Sequence, residues 1–332
     1  MPSHLVTVII RTKDRIEMLS NAIDSVSNQS HQHVELIVVN DGGCAVESVI
    51  DVKDSPAISQ KKTINFESNQ GRSAAANAGL DAATGKFIMF LDDDDWVDKD
   101  HIASLLDILV KNKKYKAVYS ATECVEMVDD CWQTNSLFDF AYDRARLLVE
   151  NYIPIHSVLF SRELLESGCR FDRDFEWLED WDFWLQVSGH TEFYFLDKKS
   201  AYYRVSTQSG FGSKSDDDLE LKYREMIYQK WYPLWSTTEL IDVLDRARSY
   251  PKVSHLQQLV DARINDLKIR EEQLGELTTD LEKTRKHLDA RAQQAIDLQE
   301  QLDEAIRNRE KRLKKMQLDQ EKMQRNYITQ IE

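Results

Sequence analysis

Three short apolar runs constrain the fold of this chain more than any other feature: Val6–Ile10 (VTVII), Val34–Val39 (VELIVV) and Phe87–Leu91 (FIMFL). Each is rich in β-branched or aromatic residues, short for a helix, and reads as a strand buried on both faces. Ile64–Phe66 is a weaker strand. Helical patterns lie between them. Ile16, Leu19, Ile23 and Val26 share one stripe, entered through the capping-box-like pair Asp14 and Glu17. Ser73–Ala83 is alanine-rich and closed by Gly85, and Ile102, Leu105, Leu106 and Leu109 mark a further amphipathic helix. Alternating strands and helices with short connections predict an α/β fold, a mostly parallel sheet flanked by helices. In such sheets ligands bind beyond the carboxyl ends of the strands. Two acidic features fall there: Asp41, in the turn Asn40-Asp41-Gly42-Gly43, and the run Asp92-Asp93-Asp94-Asp95.

Charge narrows the partners. The chain of 332 residues carries 43 basic and 58 acidic side chains, a net charge of −15. Residues 252–332 hold 16 of each sign, so the excess lies entirely in the first 251 residues. An acidic globule repels the phosphate backbone, which excludes nonspecific binding of nucleic acid. It can still bind an anionic small molecule if a divalent cation supplies the missing charge. The four cysteines, Cys44, Cys124, Cys131 and Cys169, form no C-x-x-C pair and no zinc spacing, and read as reduced thiols. The chain enters its first strand without a signal-peptide pattern, and no apolar run reaches the about 18–20 residues of a membrane span. A cytoplasmic protein is expected.

The far end is of another kind. Residues 113–235 are mixed and aromatic, and Ser236-Thr237-Thr238-Glu239 is a capping box for a helix expected to run to about Ser249, with Pro251 punctuating its end. From Val253 on there is no proline, and apolar residues recur every seven positions: Val260, Leu267, Leu274, Leu281, Leu288, Ala295, Leu302, then Met316 and Met323, with Arg309 interrupting. The companion seam is patchy, setting Ile264, Ala292, Ile306 and Leu313 among Glu271, Thr278, Arg285 and Gln299. This spacing predicts a coiled coil with one apolar and one polar seam, which would hold the chain in a homo-oligomer. Three parts follow: a globular domain over 1–235, a helical linker over 236–252 and a coiled coil over 253–332.

Taken alone, four adjacent aspartates read as a solvated acidic turn. An EF-hand loop is a poor match, because Trp96 and Val97 occupy the places of a ligand and the glycine. Delivered by a buried parallel strand to the ligand edge, however, the carboxylates suit Mg2+ or Mn2+, which take one or two protein carboxylates and complete their shell with phosphates and water. The segment Trp177-Leu178-Glu179-Asp180-Trp181-Asp182-Phe183-Trp184 alternates acidic and aromatic residues. It reads equally as an acidic helix start and as a carboxylate base in an aromatic-walled pocket.

These motifs, in this order, resemble family 2 glycosyltransferases of the GT-A fold over roughly residues 4–205. VTVIIRTKDR is similar to the first strand and loop of the family, usually ending P-T-Y-N-R, with Arg11, Lys13 and Asp14 replacing proline, tyrosine and asparagine. VELIVVNDGG resembles the strand ending D-D-G-S, with Asn40 at its first aspartate and Asp41 at the second. NQGRSAAANAGLDAATGKFIMFLDDDDW is similar to N-x-G-x-x-x-A-R-N-x-G through F-L-D-x-D-D, with Ala76 where arginine is frequent. LEDWDFWL matches E-D-x-(D/E), and AYYRVSTQSG resembles Y-R-x-H with Ser206 in place of histidine.

The resemblance implies a GT-A Rossmann-like domain that is an inverting, metal-dependent glycosyltransferase. It implies that Thr12, Asp41, Arg72, Asp92 and Asp93 bind the nucleotide-sugar, that Asp94 holds the Mn2+ or Mg2+, and that Asp180 is the general base. Glu179 becomes an acceptor-site or orienting carboxylate, Trp181 an acceptor-site residue, and Asp95 a solvated neighbour. His156, in YIPIHSVLF, is a pocket candidate read first as a core histidine. The donor would be UDP- or dTDP-linked, since Asp41 suits a pyrimidine imide N–H, and the acceptor a glycan or lipid-linked hydroxyl. The implied setting is bacterial surface polysaccharide synthesis at the inner face of the cell membrane. Two rival enzymes lack their loops: there is no G-x-G-x-R for a nucleotidyltransferase and no G-x-x-x-x-G-K-(S/T) for a phosphate-binding-loop enzyme. The remaining alternative is a coiled-coil scaffold with a vestigial transferase domain.

Overall fold

The structure, a computed structural model, describes residues 4–51, 55–129, 131–205 and 217–329. It comprises two compact units, Met1–Arg246 and Ala247–Glu332. The first begins with four parallel strands, β1 (Val6–Thr12), β2 (Val34–Asn40), β3 (Ile58–Asn65) and β4 (Phe87–Asp92). They alternate with helices α1 (Ile16–Ser27), α2 (Glu47–Asp51) and α3 (Arg72–Ala82). The short β5 (Trp96–Val97) and α4 (His101–Lys111) follow. The second half of the unit contributes β6 (Ala117–Val128), β7 (Cys131–Phe138), α5 (Arg144–Leu147), β8 (Val158–Ser161), α6 (Glu163–Glu166), α7 (Glu179–Ser188), β9 (Phe193–Arg204) and α8 (Asp217–Trp231).

All strands belong to one mixed sheet in the order β3-β2-β1-β4-β8-β6-β9-β5, with β7 paired to the far part of β6. The period of two splits each central strand between two cores. Val8, Ile10, Leu36, Val38, Met89 and Leu91 pack against Leu19, Ile23, Ile102 and Leu105 on the α1 and α4 face. Ile9, Ile37, Val39, Ile88 and Phe90 pack against Leu80, Phe160, Trp181 and Trp184 on the α3 and α7 face. Burial on both faces is why these strands read as continuous apolar runs. Helix α3 approaches β1 closely through Gly79, where an added Cβ would stand 2.5 Å from Ile9 Cγ2. The edge strand β3 is longer than the expected Ile64–Phe66, and its exposed Lys61 and Lys62 discourage edge pairing.

From β1 the chain winds outward to β2 and β3, then returns to lay β4 on the other side of β1. The order reverses between β1 and β4, so a crevice opens beyond their carboxyl ends. Thr12 and Asp92 end those two strands.

The helical end departs from expectation. A single helix, α9 (Thr237–Thr329), runs through Pro251 instead of stopping before it. The second unit begins within that helix, at Ala247. In that unit the apolar series lies in the open: Leu267 is 50% exposed, Leu274 65% and Leu281 69%.

Candidate active site

Strand periodicity sorts the ends of β1 and β4 into two sets. Arg11 and Asp92 are register partners on adjacent parallel strands and continue the α7-side series. Thr12 and Asp93 continue the opposite one. Arg11 therefore donates from Nη2 to Asp92 Oδ1 at 2.8 Å and from Nη1 to Glu179 Oε1, in the first turn of α7, at 2.9 Å. Thr12 Oγ1 donates to Asp93 Oδ2 at 2.6 Å. Arg15 Nη1 reaches Asp93 Oδ1 at 3.1 Å and Asp94 Oδ2 at 2.9 Å.

Of these groups all but Glu179 line a cleft of about 760 Å³. Its walls include Thr12, Asp41, Arg72, Asp92, Asp93 and Asp94, so six of the expected site residues share one cavity. Asp41 holds the far wall by accepting the backbone N–H groups of Gln70 at 2.6 Å and Gly71 at 3.0 Å. A carboxylate has about four lone-pair sites, so acceptor capacity remains toward the cleft. Arg72 opens α3 as an exposed side chain on the cleft wall. Glu176 and Trp177 close the cleft from the α7 side, and Leu219 and Tyr223 from α8.

The electrostatics distinguish the aspartates. Burial would raise the Asp92 pKa, but the Arg11 and Arg72 charges hold it down at about 2. Asp94 is pushed up to about 7 by burial and by the charges of Asp95, Asp92 and Asp93, with Arg15 opposing. Asp93 is raised as well, by burial, against its bonds to Thr12 and Arg15. Crowded, under-neutralised hard oxygens suit a divalent cation. Among the described residues no cluster of three or more His, Cys, Asp or Glu could hold a metal. The described side chains do not form an all-protein metal cage.

Asp180 sits one residue beyond Glu179 and does not line the cleft described above. Its Oδ1 accepts Asn151 Nδ2 at 3.0 Å and the Trp181 N–H at 2.8 Å. Burial and the neighbouring Glu179 charge push it up to about 6, against those two bonds and Arg11. Glu179 is buried and paired with Arg11, an orienting position.

Two expectations need correction. Trp181 is 2% exposed, donates Nε1–H to the Leu147 carbonyl at 2.6 Å and meets Tyr228 edge-on, so its ring is core and offers no face to an acceptor. Helical periodicity turned this part of the alternating segment inward. Asp95 is not solvated; it is 2% exposed and lies against fully buried His156. Ser206 lies outside the described residues.

Sequence reasoning passed over Arg11, Arg15 and Asn151 as site residues. Arg11 left a usable signal: a charge within a strand buried on both faces needs a buried partner. Nothing local marked Asn151 as the neighbour of Asp180.

Comparison with known proteins bears on the family and the fold. The family model described as "Glycosyl transferase family 2" matches residues 7–168. An uncharacterized glycosyltransferase of Bacillus subtilis, YwdF, is 32% identical over 188 residues, spanning 55% of this chain and 68% of that protein. Other glycosyltransferases that match are longer, and the chain spans 33% of one and 26% of another. The mannosyltransferase PcManGT of Pyrobaculum calidifontis, solved with GDP-Man and Mn2+, superposes with a TM-score of 0.52 at 16% identity, over 74% of this chain and 69% of that one. S. aureus TarS 1-349 with UDP-GlcNAc superposes with a TM-score of 0.50 at 18% identity, over 61% and 59%. The fold is GT-A, and the chain belongs to glycosyl transferase family 2.

Proposed function

We propose that the cleft transfers a sugar from a nucleoside-diphosphate sugar to a hydroxyl of a glycan or lipid-linked acceptor, with inversion at the anomeric carbon. The observation that carries this reading is the shared cavity of Asp41, Arg72 and Asp92–Asp94 at the β1/β4 switch point, bridged by Arg11 and Glu179 to the segment bearing Asp180. Asp41 faces the nucleobase, a uracil or thymine by its acceptor chemistry. Asp92 and Asp93, fixed by Arg11 and Thr12, take the ribose side. Asp94 would hold a divalent cation, Mn2+ or Mg2+, whose charge offsets that developing on the leaving diphosphate. Arg72 adds a second positive charge there. Asp180 accepts the proton of the acceptor hydroxyl as its oxygen bonds to the anomeric carbon and the bond to the diphosphate oxygen breaks on the opposite face.

Replacing Asp180 by Asn tests the assignment. Transfer from a radiolabelled donor is expected to vanish while UDP binding stays within about threefold, because the base acts only in the chemical step. Transfer at near wild-type rate would contradict it. The exposed heptad series of α9 supports a further part of the reading, self-association through that helix. Among the described residues no helix is long and apolar enough to cross a membrane. The setting proposed for the reaction is surface polysaccharide synthesis on a lipid-linked acceptor.

A further inference from the structure

Of the four aspartates in the turn after β4, Asp95 is the one that does not line the cleft. Its backbone N–H closes the turn onto the Asp92 carbonyl at 3.1 Å. Its carboxylate is met from two sides, by one hydrogen bond and one charge-range contact. Oδ1 accepts the Arg204 backbone N–H, at the end of β9, at 2.9 Å. Oδ2 lies 2.9 Å from Nδ1 of His156, a fully buried residue in the 3-10 turn Ile155–Ser157 that leads into β8. The imidazole in turn stacks on Tyr203, with ring centroids 5.9 Å apart. Segments distant in sequence therefore converge on one carboxylate directly behind the turn.

Asp94, by contrast, has little to hold it. Its side chain meets Arg15, itself more than a third exposed. The direction in which Asp94 points is consequently set by the backbone of the turn, and Asp95 is the side chain that fixes that backbone. A buried carboxylate costs several kcal/mol in lost hydration, so an apolar residue at position 95 would be the cheaper filler if packing alone were needed. The Asp95 Oδ2–His156 Nδ1 contact is of ion-pair length and makes no well-aligned hydrogen bond, and His156 Nε2 and His101 Nε2 are likewise buried with no hydrogen-bond partner among the described residues. His101 Nδ1 meets Ser200 Oγ at 2.8 Å.

We infer that His156 is a positioning residue of the donor site: acting through Asp95, it sets the aim of the Asp94 carboxylate toward a cation bound to the diphosphate. This rests on the proposed transfer reaction and assigns a task to a residue that contacts neither substrate nor cation. Partners one layer behind a metal ligand typically change metal affinity by about 10–100-fold.

The test is calorimetric titration of UDP into the full chain with and without Mn2+, for wild type, His156→Leu, His156→Asn and Asp95→Asn. UDP affinity without metal is expected to stay within about twofold in all four, because the Asp41 wall is untouched. The gain in UDP affinity on adding Mn2+ is expected to fall at least about tenfold in His156→Leu and Asp95→Asn. It should be largely restored in His156→Asn, whose amide can replace the Nδ1 contact. A role in packing alone would lower the melting temperature yet leave the Mn2+ gain of the folded variant intact. If His156→Leu does not fold, Asp95→Asn decides by the same titration. A wild-type Mn2+ gain that persists in these variants overturns this inference alone; no Mn2+ gain in wild type overturns the metal reading of the site as well.

Discussion

At the residue scale, Arg11 and Asp180 carry the most testable chemistry. Arg11 is a nearly buried guanidinium held between Asp92 and Glu179. Removing one partner of a buried ionic cluster strands the others, which costs roughly 3–5 kcal/mol. Arg11→Met is therefore expected to lower stability in urea by that amount and to raise the donor KM, as Asp92 loses its anchor; stability within experimental error of wild type would contradict the bridge. Asp180 makes a pH prediction. Its pKa is raised from 3.8 to about 6, so the base is protonated and transfer falls as pH drops through 6. The linkage to stability runs the other way. A carboxyl raised on folding favours the folded state below its ordinary pKa and loses that contribution as pH rises through 6. The acid loss of rate is thus expected without unfolding, and circular dichroism recorded beside the rate at each pH separates the two.

At the element scale, the close approach of α3 to β1 sets the cleft wall that carries Arg72. Gly79→Ala places a Cβ 2.5 Å from Ile9 Cγ2. Overpacking of this kind costs about 1–3 kcal/mol and outweighs the helix gain of up to about 1 kcal/mol. The variant is expected to melt a few degrees lower, and the double variant Gly79→Ala with Ile9→Ala to lose less than the sum of the two single losses. Additive losses would show that the two do not meet. What was legible in the sequence follows the same physics. VTVII, VELIVV and FIMFL announce themselves because double-sided burial leaves no polar alternation to blur them. Asp41 and Asp92–Asp94 could be placed because they trail such strands. Asp180 could be named from its motif, yet its neighbour Asn151 could not, since the two meet only after β8 and α7 are packed. Trp181 misled because local alternation cannot tell a pocket wall from a helix face turned into the core. Pro251 misled because a proline signals a helix end only by tendency, and a long helix with strong formers on either side carries on through it.

At the scale of the whole molecule, the second unit, Ala247–Glu332, is carried by a helix whose apolar series is exposed. Such a helix cannot bury its own stripe. Replacing Leu267, Leu274 and Leu281 by Ser is expected to convert an oligomer to a monomer in sedimentation velocity, leaving UDP affinity unchanged; a monomeric wild type at high concentration would contradict self-association. The central claim, that the cleft is a nucleotide-sugar site built on Asp94 and a divalent ion, is tested most directly by thermal unfolding with UDP, dTDP or GDP and Mn2+. A ligand at a hundred times its Kd stabilises by about 2.7 kcal/mol, which for a domain of this size is a rise of roughly 5–10 °C in Tm. A saturable rise of that size is expected for at least one pyrimidine nucleoside diphosphate and is absent in Asp94→Asn; no shift with any nucleotide, or an equal shift in Asp94→Asn, would overturn the assignment.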